Sequence, residues 1–135
     1  MEYNKKAQII SKIREFLSTV EEIRFAYIFG SFATGYAFND IDIGIYYQDI
    51  QNKSPLEIEF EMENRIQEIT GYQSDVRILN RAPVGFAFEV IRDGILVKDE
   101  SPDLRSDFEG LIFKKHNDFI RFRIEYLRET AHAQI

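Results

Sequence analysis

The sequence predicts an α/β (α+β) fold, a small mixed β-sheet with flanking helices and a long C-terminal helix. Amphipathic stretches with helical spacing alternate along the chain with short apolar runs. One segment alternates isoleucine with aspartate or glycine, which is typical of a strand with two unlike faces. A charged helical pattern then runs from Asp103 to about Glu129. A length of 135 residues with 44% hydrophobic content suits one core, so we expect a single domain, residues 1–135.

The individual elements follow from side-chain spacing and from the residues that interrupt it. Ile9, Ile13 and Phe16 recur at intervals of three and four, which predicts the first helix. An apolar aromatic run that stops at Gly30 predicts a buried strand entering a turn. The predicted elements, in order, are helix 5–20, strands 24–29 and 40–47, helix 55–70, strand 75–79, helix 84–93, apolar segment 95–97 and helix 103–129.

The second predicted helix, 55–70, has the strongest local signals. Ser54 is a suitable cap, Pro55 suits the first helical position, and Glu57 can close a capping box. Gly71 supplies a left-handed stop at the other end. We therefore expect the helix to lie between Ser54 and Gly71.

Composition excludes several classes of function. The chain has 23 acidic against 17 basic residues and a net charge of −6, which argues against direct nucleic-acid binding and against anionic membranes. It has no Cys and only two isolated His, so disulfides and zinc sites are not expected. The N-terminus lacks the apolar region of a signal peptide, and no apolar run approaches the length of a membrane span. We expect a cytoplasmic protein whose metal ligands, if any, are oxygens.

Two carboxylates on one strand are the first candidate site. Asp40 and Asp42 are two residues apart, so both project from one face while Ile41 and Ile43 anchor the other. Mg²⁺ is commonly held by one or two carboxylates together with the phosphate groups of a substrate. The alternative is an edge strand with solvated acids, and with nine Asp in the chain the spacing alone is a weak signal.

A glycine-serine turn shortly before these acids strengthens the metal interpretation. Gly30 and Ser31 end an apolar strand, and Gly35 follows four residues later. Glycine lets the backbone approach a ligand, exposed N–H groups at such a turn can hold phosphate oxygens, and the Ser31 hydroxyl can add a donor. We therefore predict that Gly30, Ser31 and Gly35 bind a nucleotide's phosphates beside the metal ligands.

Gly30-Ser31 followed by Asp40-Ile41-Asp42 resembles the signature of the nucleotidyltransferase superfamily that includes DNA polymerase beta. The likeness continues through the strand of Asp75 and into the long last helix, and it is greatest to the minimal nucleotidyltransferase (MNT) antitoxins of HEPN/MNT toxin–antitoxin pairs. The resemblance implies the nucleotidyltransferase fold. It also implies that Asp40, Asp42 and Asp75 are catalytic and bind two Mg²⁺ ions.

The same resemblance implies a reaction and a partner. AMP would pass from ATP to a Tyr hydroxyl of a HEPN ribonuclease toxin, which would be silenced by the modification. Asp75 has the competing interpretation of a surface acid paired with Arg77 or Arg81, and Glu89 and Asp93 are fallback candidates for the third acid.

The sequence departs from that family in two ways. The loop between Ser31 and Asp40 has eight residues, 32–39, fewer than is usual in the family, and the common Arg of the turn is missing. No basic side chain occurs between Arg24 and Lys53. The triphosphate must then be neutralised by metals, by backbone amides, or by residues such as Arg77 or Arg81. The short loop leaves open a weakened site.

Two alternatives therefore stand beside the protein-modifying enzyme. One is an antitoxin with this fold that neutralises its toxin by contact alone. The other is a stand-alone transferase with a small-molecule acceptor, although such enzymes usually carry a further substrate-binding domain.

The last helix is locally basic. It has five basic and three acidic residues from residue 113 onward. A solvated face is the simplest explanation, while docking of an acidic partner or a contribution to nucleotide binding is the alternative. We expect His116 and His132 at the surface, and the aromatic side chains of 108–126 in a core or an interface.

Overall fold

The computed structural model describes residues 2–35, 37–48 and 53–133. It contains a four-stranded mixed sheet in the order β3-β2-β1-β4, with β2 and β3 parallel and the other two pairs antiparallel. The strands are β1 (Ile23–Phe29), β2 (Asp40–Tyr47), β3 (Gln73–Ile78) and β4 (Ile95–Asp99), and the helices are α1 (Glu2–Ser18), α2 (Ser31–Thr34), α3 (Pro55–Thr70), α4 (Val84–Asp93) and α5 (Pro102–Ala133).

Each face of the sheet buries a separate apolar cluster. The alternation in β2 sends Ile41, Ile43 and Ile45 to the side covered by α1 and α3. Phe25 and Tyr27 of β1 face the other side, where α4 and the first half of α5 cover them. The predicted α/β fold is therefore confirmed, as a sheet with helices on both faces.

Most elements agree with the sequence prediction to within a few residues. The prediction is most accurate for α3, because local chemistry defines both ends of this helix. At its start, Ser54 Oγ accepts from Glu57 N at 3.2 Å. At its end, Gly71 adopts φ 79° and its N–H donates to the Gln67 carbonyl at 2.8 Å. The α1 helix ends at Ser18, two residues earlier than predicted. The residues after β3 form a 3₁₀ turn, Leu79–Arg81, in place of the last strand residue.

The edge strand β3 is protected by α3, the helix that crosses over from β2. Glu63 Oε2 accepts from Val76 N, and Glu59 Oε2 accepts from Ile78 N, both at 2.9 Å. Backbone donors that would otherwise face an open edge are thus satisfied. None of the helices in the described ranges combines the length and apolar content that crossing a membrane requires.

Lys98 of β4 joins the sheet to the end of α1. Its Nζ is buried and donates to the carbonyls of Leu17 at 2.6 Å and Val20 at 2.7 Å, and it lies 3.2 Å from Glu100 Oε1. A lysine in this position supplies donors to carbonyls at a helix C-terminus, where positive charge is also favoured.

Replacing Lys98 by Met is expected to lower the free energy of unfolding by about 2 kcal/mol, because two carbonyls lose a buried charged donor. Urea denaturation measures the change. Lys53→Met is the matched control, since Lys53 forms a solvent-exposed ion pair with Glu61 at 2.8 Å and should matter little. Equal effects of the two substitutions would contradict a stabilising role for Lys98.

Candidate active site

The acid-bearing strands lie side by side in register. Phe29 of β1 pairs with Asp42 of β2, and Asp42 pairs with Asp75 of β3, so the three residues form one row across the sheet. Residues paired in this way project from the same face. Asp40 lies two residues before Asp42 on that face. The row faces α4, since Phe29 contacts Phe86 at 5.4 Å between ring centroids.

Gly30 places the turn directly against this row. It has φ 73° and ψ −154°, a backbone conformation that is essentially restricted to glycine. A Cβ built on Gly30 would lie 2.2 Å from Asp42 Oδ2. Only a residue without a side chain therefore allows the chain to turn so close to the Asp42 carboxylate.

The segment after Gly30 forms one helical turn. Ala33 N and Thr34 N donate to the Gly30 carbonyl at 3.1 and 3.2 Å. The first amides of such a turn are the ones that helical geometry leaves unpaired, and Ser31 is exposed. Gly35 closes the turn instead, because its N–H already donates to the Ser31 carbonyl at 2.7 Å. Of the three predicted phosphate-binding residues, Gly30 thus borders Asp42, Ser31 is the exposed residue that follows it, and Gly35 shapes the turn.

The acids influence one another electrostatically. The pKa of Asp42 is raised above its ordinary value, first by partial burial and then by the negative charges of Asp75 and Asp40, while Arg77 opposes the shift. Mutual repulsion of this kind is relieved by a bound cation. The donor set therefore fits a divalent ion that prefers oxygen ligands.

Asp75 is also engaged by a neighbour. Arg77 Nε lies 3.1 Å from Asp75 Oδ1, and both side chains are about half exposed. The competing prediction of an ion pair with Arg77 is thus correct, although it does not remove Asp75 from the row. Within the described ranges, no three acidic or histidine side chains are already gathered into a metal-ligand cluster. A cation held by Asp75 would compete with Arg77 for this carboxylate.

Phe86 lines two cavities. The larger, about 570 Å³, is within the usual size range of ligand pockets and includes Arg77 and Arg81, the two cations that the sequence suggested for phosphate. The smaller, about 170 Å³, borders Gly30 and Thr34. Glu89 and Asp93, the fallback acids, line this second cavity and not the row.

Lys6 is a residue of the site that the sequence did not reveal. Its Nζ donates to the carbonyl of Phe32 at 3.0 Å and to the carbonyl of Gly35, so α1 holds the turn from the other side of the loop. Lys6 precedes Phe32 by 26 positions, so no local pattern in the sequence indicates this contact. The turn thus has a basic neighbour, and the Lys6 ammonium group contacts backbone carbonyls of the turn.

The polymerase beta, nucleotidyltransferase family matches residues 11–103, more than half of the chain. The chain belongs to this family. The matched span holds the Gly30 turn and all three acids of the candidate site. The resemblance predicted from these residues is confirmed.

Solved structures share the fold of this nucleotidyltransferase. A chain of the toxin-antitoxin MntA-HepT crystal structure aligns with a TM-score of 0.64 at 16% identity, over 95% of this chain and 97% of its own. A chain of a toxin-antitoxin structure with AMP-PNP aligns with a TM-score of 0.72 at 18% identity, over 90% and 97%. A chain of the complex between tri-AMPylated Shewanella oneidensis HEPN toxin and MNT antitoxin aligns with a TM-score of 0.65 at 17% identity, over 96% of this chain and 98% of its own. No curated protein matches the chain.

Proposed function

We propose that this nucleotidyltransferase transfers AMP from ATP, with Mg²⁺, to a Tyr hydroxyl of a HEPN toxin and so acts as its antitoxin. The observation that carries the proposal is the in-register row of Asp42 and Asp75 beside the Gly30 turn. Solved structures of the same fold include a complex with AMP-PNP and one with an AMPylated toxin, and they support this choice of donor and acceptor.

Asp40, Asp42 and Asp75 would hold the Mg²⁺ ions, which supply charge neutralisation and Lewis acidity to phosphoryl transfer. The amide groups at the start of α2 and the Ser31 hydroxyl orient the triphosphate. Arg77 and Arg81, which line the adjacent cavity, add positive charge where the family's usual turn Arg is missing.

The reaction forms one bond and breaks another at the α-phosphorus. The acceptor oxygen attacks this phosphorus, the bond from phosphorus to the bridging oxygen breaks, and pyrophosphate leaves. The acceptor's proton passes to the Asp75 carboxylate. The product is an AMP ester of the acceptor hydroxyl, so atoms and charge balance without a further reactant.

The direct test is incubation of the purified chain with α-labelled ATP, Mg²⁺ and the HEPN toxin encoded beside it. We expect label on the toxin and its loss when the acceptor Tyr is changed to Phe. Neutralisation of the toxin without label would support the contact-only antitoxin instead. Label on a small molecule in the absence of any protein acceptor would support the stand-alone transferase.

Lys6→Met is expected to weaken Mg-ATP binding by about tenfold, because the turn loses the donor that fixes two of its carbonyls. Lys6 is a positioning residue, so the loss should lie mainly in KM and leave kcat nearly unchanged. Isothermal titration and initial rates measure the two effects. Lys12→Met, an exposed lysine of the same helix, should change neither quantity. A fall in kcat alone would contradict this assignment.

A further inference from the structure

The second half of α5 extends beyond the domain. From Asn117 to Glu129 every side chain is exposed, whereas the first half of the helix packs on α4 and the sheet. At 1.5 Å per residue, this exposed segment is about 20 Å long. Its exposed large apolar side chains are Phe119, Ile120, Phe122, Ile124, Tyr126 and Leu127.

The exposed apolar area matches the largest apolar patches found on typical monomers, which are often functional. These six side chains are 42–68% exposed, which amounts to on the order of 600 Å². The largest apolar patch on a typical monomer is about 300–600 Å², and a standard interface covers about 800 Å² per partner. With Leu111 and Phe113, which are also exposed, the surface reaches the size of an interface.

One side of the half helix has the spacing of a coiled-coil seam. Apolar or small residues recur at alternating intervals of four and three, the a and d positions of a heptad. Phe113 begins the seam and is partly covered by Phe88 at 5.3 Å between ring centroids, and the rest is open. Asn117, a polar residue at an a position, is the kind that selects one register and partner. The seam consists of Phe113, Asn117, Ile120, Ile124, Leu127 and Ala131.

The positions that flank this seam are basic on both sides. Lys114, Arg121 and Arg128 occupy the e positions, and Arg123 occupies a g position. The three acids of the half helix lie at b and f positions, away from the seam: Asp118, Glu125 and Glu129. Since e and g residues decide which helices pair, the seam favours a partner with acidic flanks.

This charge pattern disfavours a second copy of the same chain. A parallel pair would place Arg123 opposite Arg128 of the other copy, and an antiparallel pair would place e positions against e positions. Like charges would meet in both orientations. An anionic membrane is also disfavoured, because the whole chain has a net charge of −6 and the apolar side chains occupy more than one side of the helix.

We propose that the second half of α5 pairs with a helix of another protein, one whose apolar seam is flanked by Asp and Glu. Identification of that protein as the toxin rests on the proposed function. Phe119, Phe122 and Tyr126 form a second ridge on the same half helix, which a further helix of the same partner covers. Docking in this way would hold an acceptor protein next to the nucleotidyltransferase domain.

The test uses the full chain and two synthetic helices of about 21 residues with the same Leu and Ile seam. One helix has Glu at all e and g positions, and the other has Lys. We expect the Glu helix to bind at least about tenfold more tightly than the Lys helix, and its affinity to fall as NaCl rises from about 0.1 to about 1 M. Fluorescence anisotropy measures both.

Charge reversal provides the decisive variant. Replacement of all four flanking cations by Glu, at Lys114, Arg121, Arg123 and Arg128, should reverse the preference, so that the Lys helix binds more tightly, which a misfolded variant could not do. Glu129→Lys, a reversal at an f position, should leave the preference unchanged. Equal binding of the two helices, an α5-dependent dimer by sedimentation, or tighter binding to phosphatidylserine vesicles than to the Glu helix would each overturn the proposal.

The same variants separate this proposal from the proposed function. Asp42→Asn should still bind the Glu helix, so loss of AMP transfer with intact helix binding would concern the active site alone. The variant with Glu at all four flanking positions should retain Mg-ATP affinity and lose binding to the toxin. If it kept wild-type affinity for the toxin while the toxin was still labelled, the docking proposal would fail and the proposed function would stand.

Discussion

Asp42→Asn is expected to abolish AMP transfer and, at neutral pH, to stabilise the fold. Asp42 is the central acid of the row, and its replacement should lower the rate by about 10³-fold or more, because the proposed site loses one of its metal ligands. The same substitution should raise the free energy of unfolding, although it lowers the transfer rate. The native protein raises the pKa of Asp42 by burial and by the charges of Asp75 and Asp40, so the ionised form is destabilising.

The pH dependence gives the sign of this stability effect. A carboxyl whose pKa is higher in the folded than in the unfolded state binds more protons in the native protein. The cost of ionising it is therefore present above the folded pKa and disappears as the pH falls through that value toward the ordinary 3.8. Since Asp42 is only half-buried and its repulsions are screened, the gain for Asp42→Asn at about pH 7 should be about 1 kcal/mol or less.

Urea denaturation of wild type and Asp42→Asn at about pH 7 and about pH 3.5 measures the effect. We expect the difference between them to shrink at the lower pH. Asp107→Asn, an exposed acid on α5, is the control and should show no comparable trend. Added Mg²⁺ should stabilise wild type more than Asp42→Asn. A variant less stable than wild type at neutral pH would contradict the strained arrangement of the three acids.

Gly30→Ala is expected to cost about 2–3 kcal/mol of stability and about 10²-fold or more in transfer rate. Two effects combine. The backbone at φ 73° and ψ −154° is strongly unfavourable for any residue with a side chain, and the new methyl carbon would lie only 2.2 Å from Asp42 Oδ2. The Asp42 carboxylate must then move, which disturbs the metal ligands together with the turn.

Gly71→Ala is the matched control for this substitution. Gly71 also has a positive φ, 79°, but a Cβ there would meet no atom within 4 Å. Its replacement should cost about 1 kcal/mol and leave transfer intact. Thermal unfolding and label transfer for both variants separate backbone strain from the contact with Asp42. Similar losses of activity in the two variants would show that the effect is not local to the site.

The difference between predicted and observed features has a physical pattern. Helix α3 was predicted almost to the residue because its cap, first-turn proline and terminal glycine act within four residues of the chain. The strand of Asp40 and Asp42 was predicted from an alternation of period two, which is equally local. By contrast, the expectation that His116 lies at the surface is only partly correct, since its ring stacks on Phe88 at 3.6 Å. That contact joins two helices far apart in sequence.

The sequence by itself determined the alternation of helices and strands, the glycine-serine turn and the two acids that follow it, because these depend on local spacing and on backbone preference. Only the tertiary structure decided that Asp75 stands in register with Asp42, that Lys6 contacts the turn, and that the side chains of α5 from Asn117 to Glu129 are exposed among the described residues. Register across parallel strands and contacts between distant helices depend on how α3 crosses the sheet and how the apolar faces pack. Such packing is a property of the whole chain, since each contact joins residues whose separation no local pattern records.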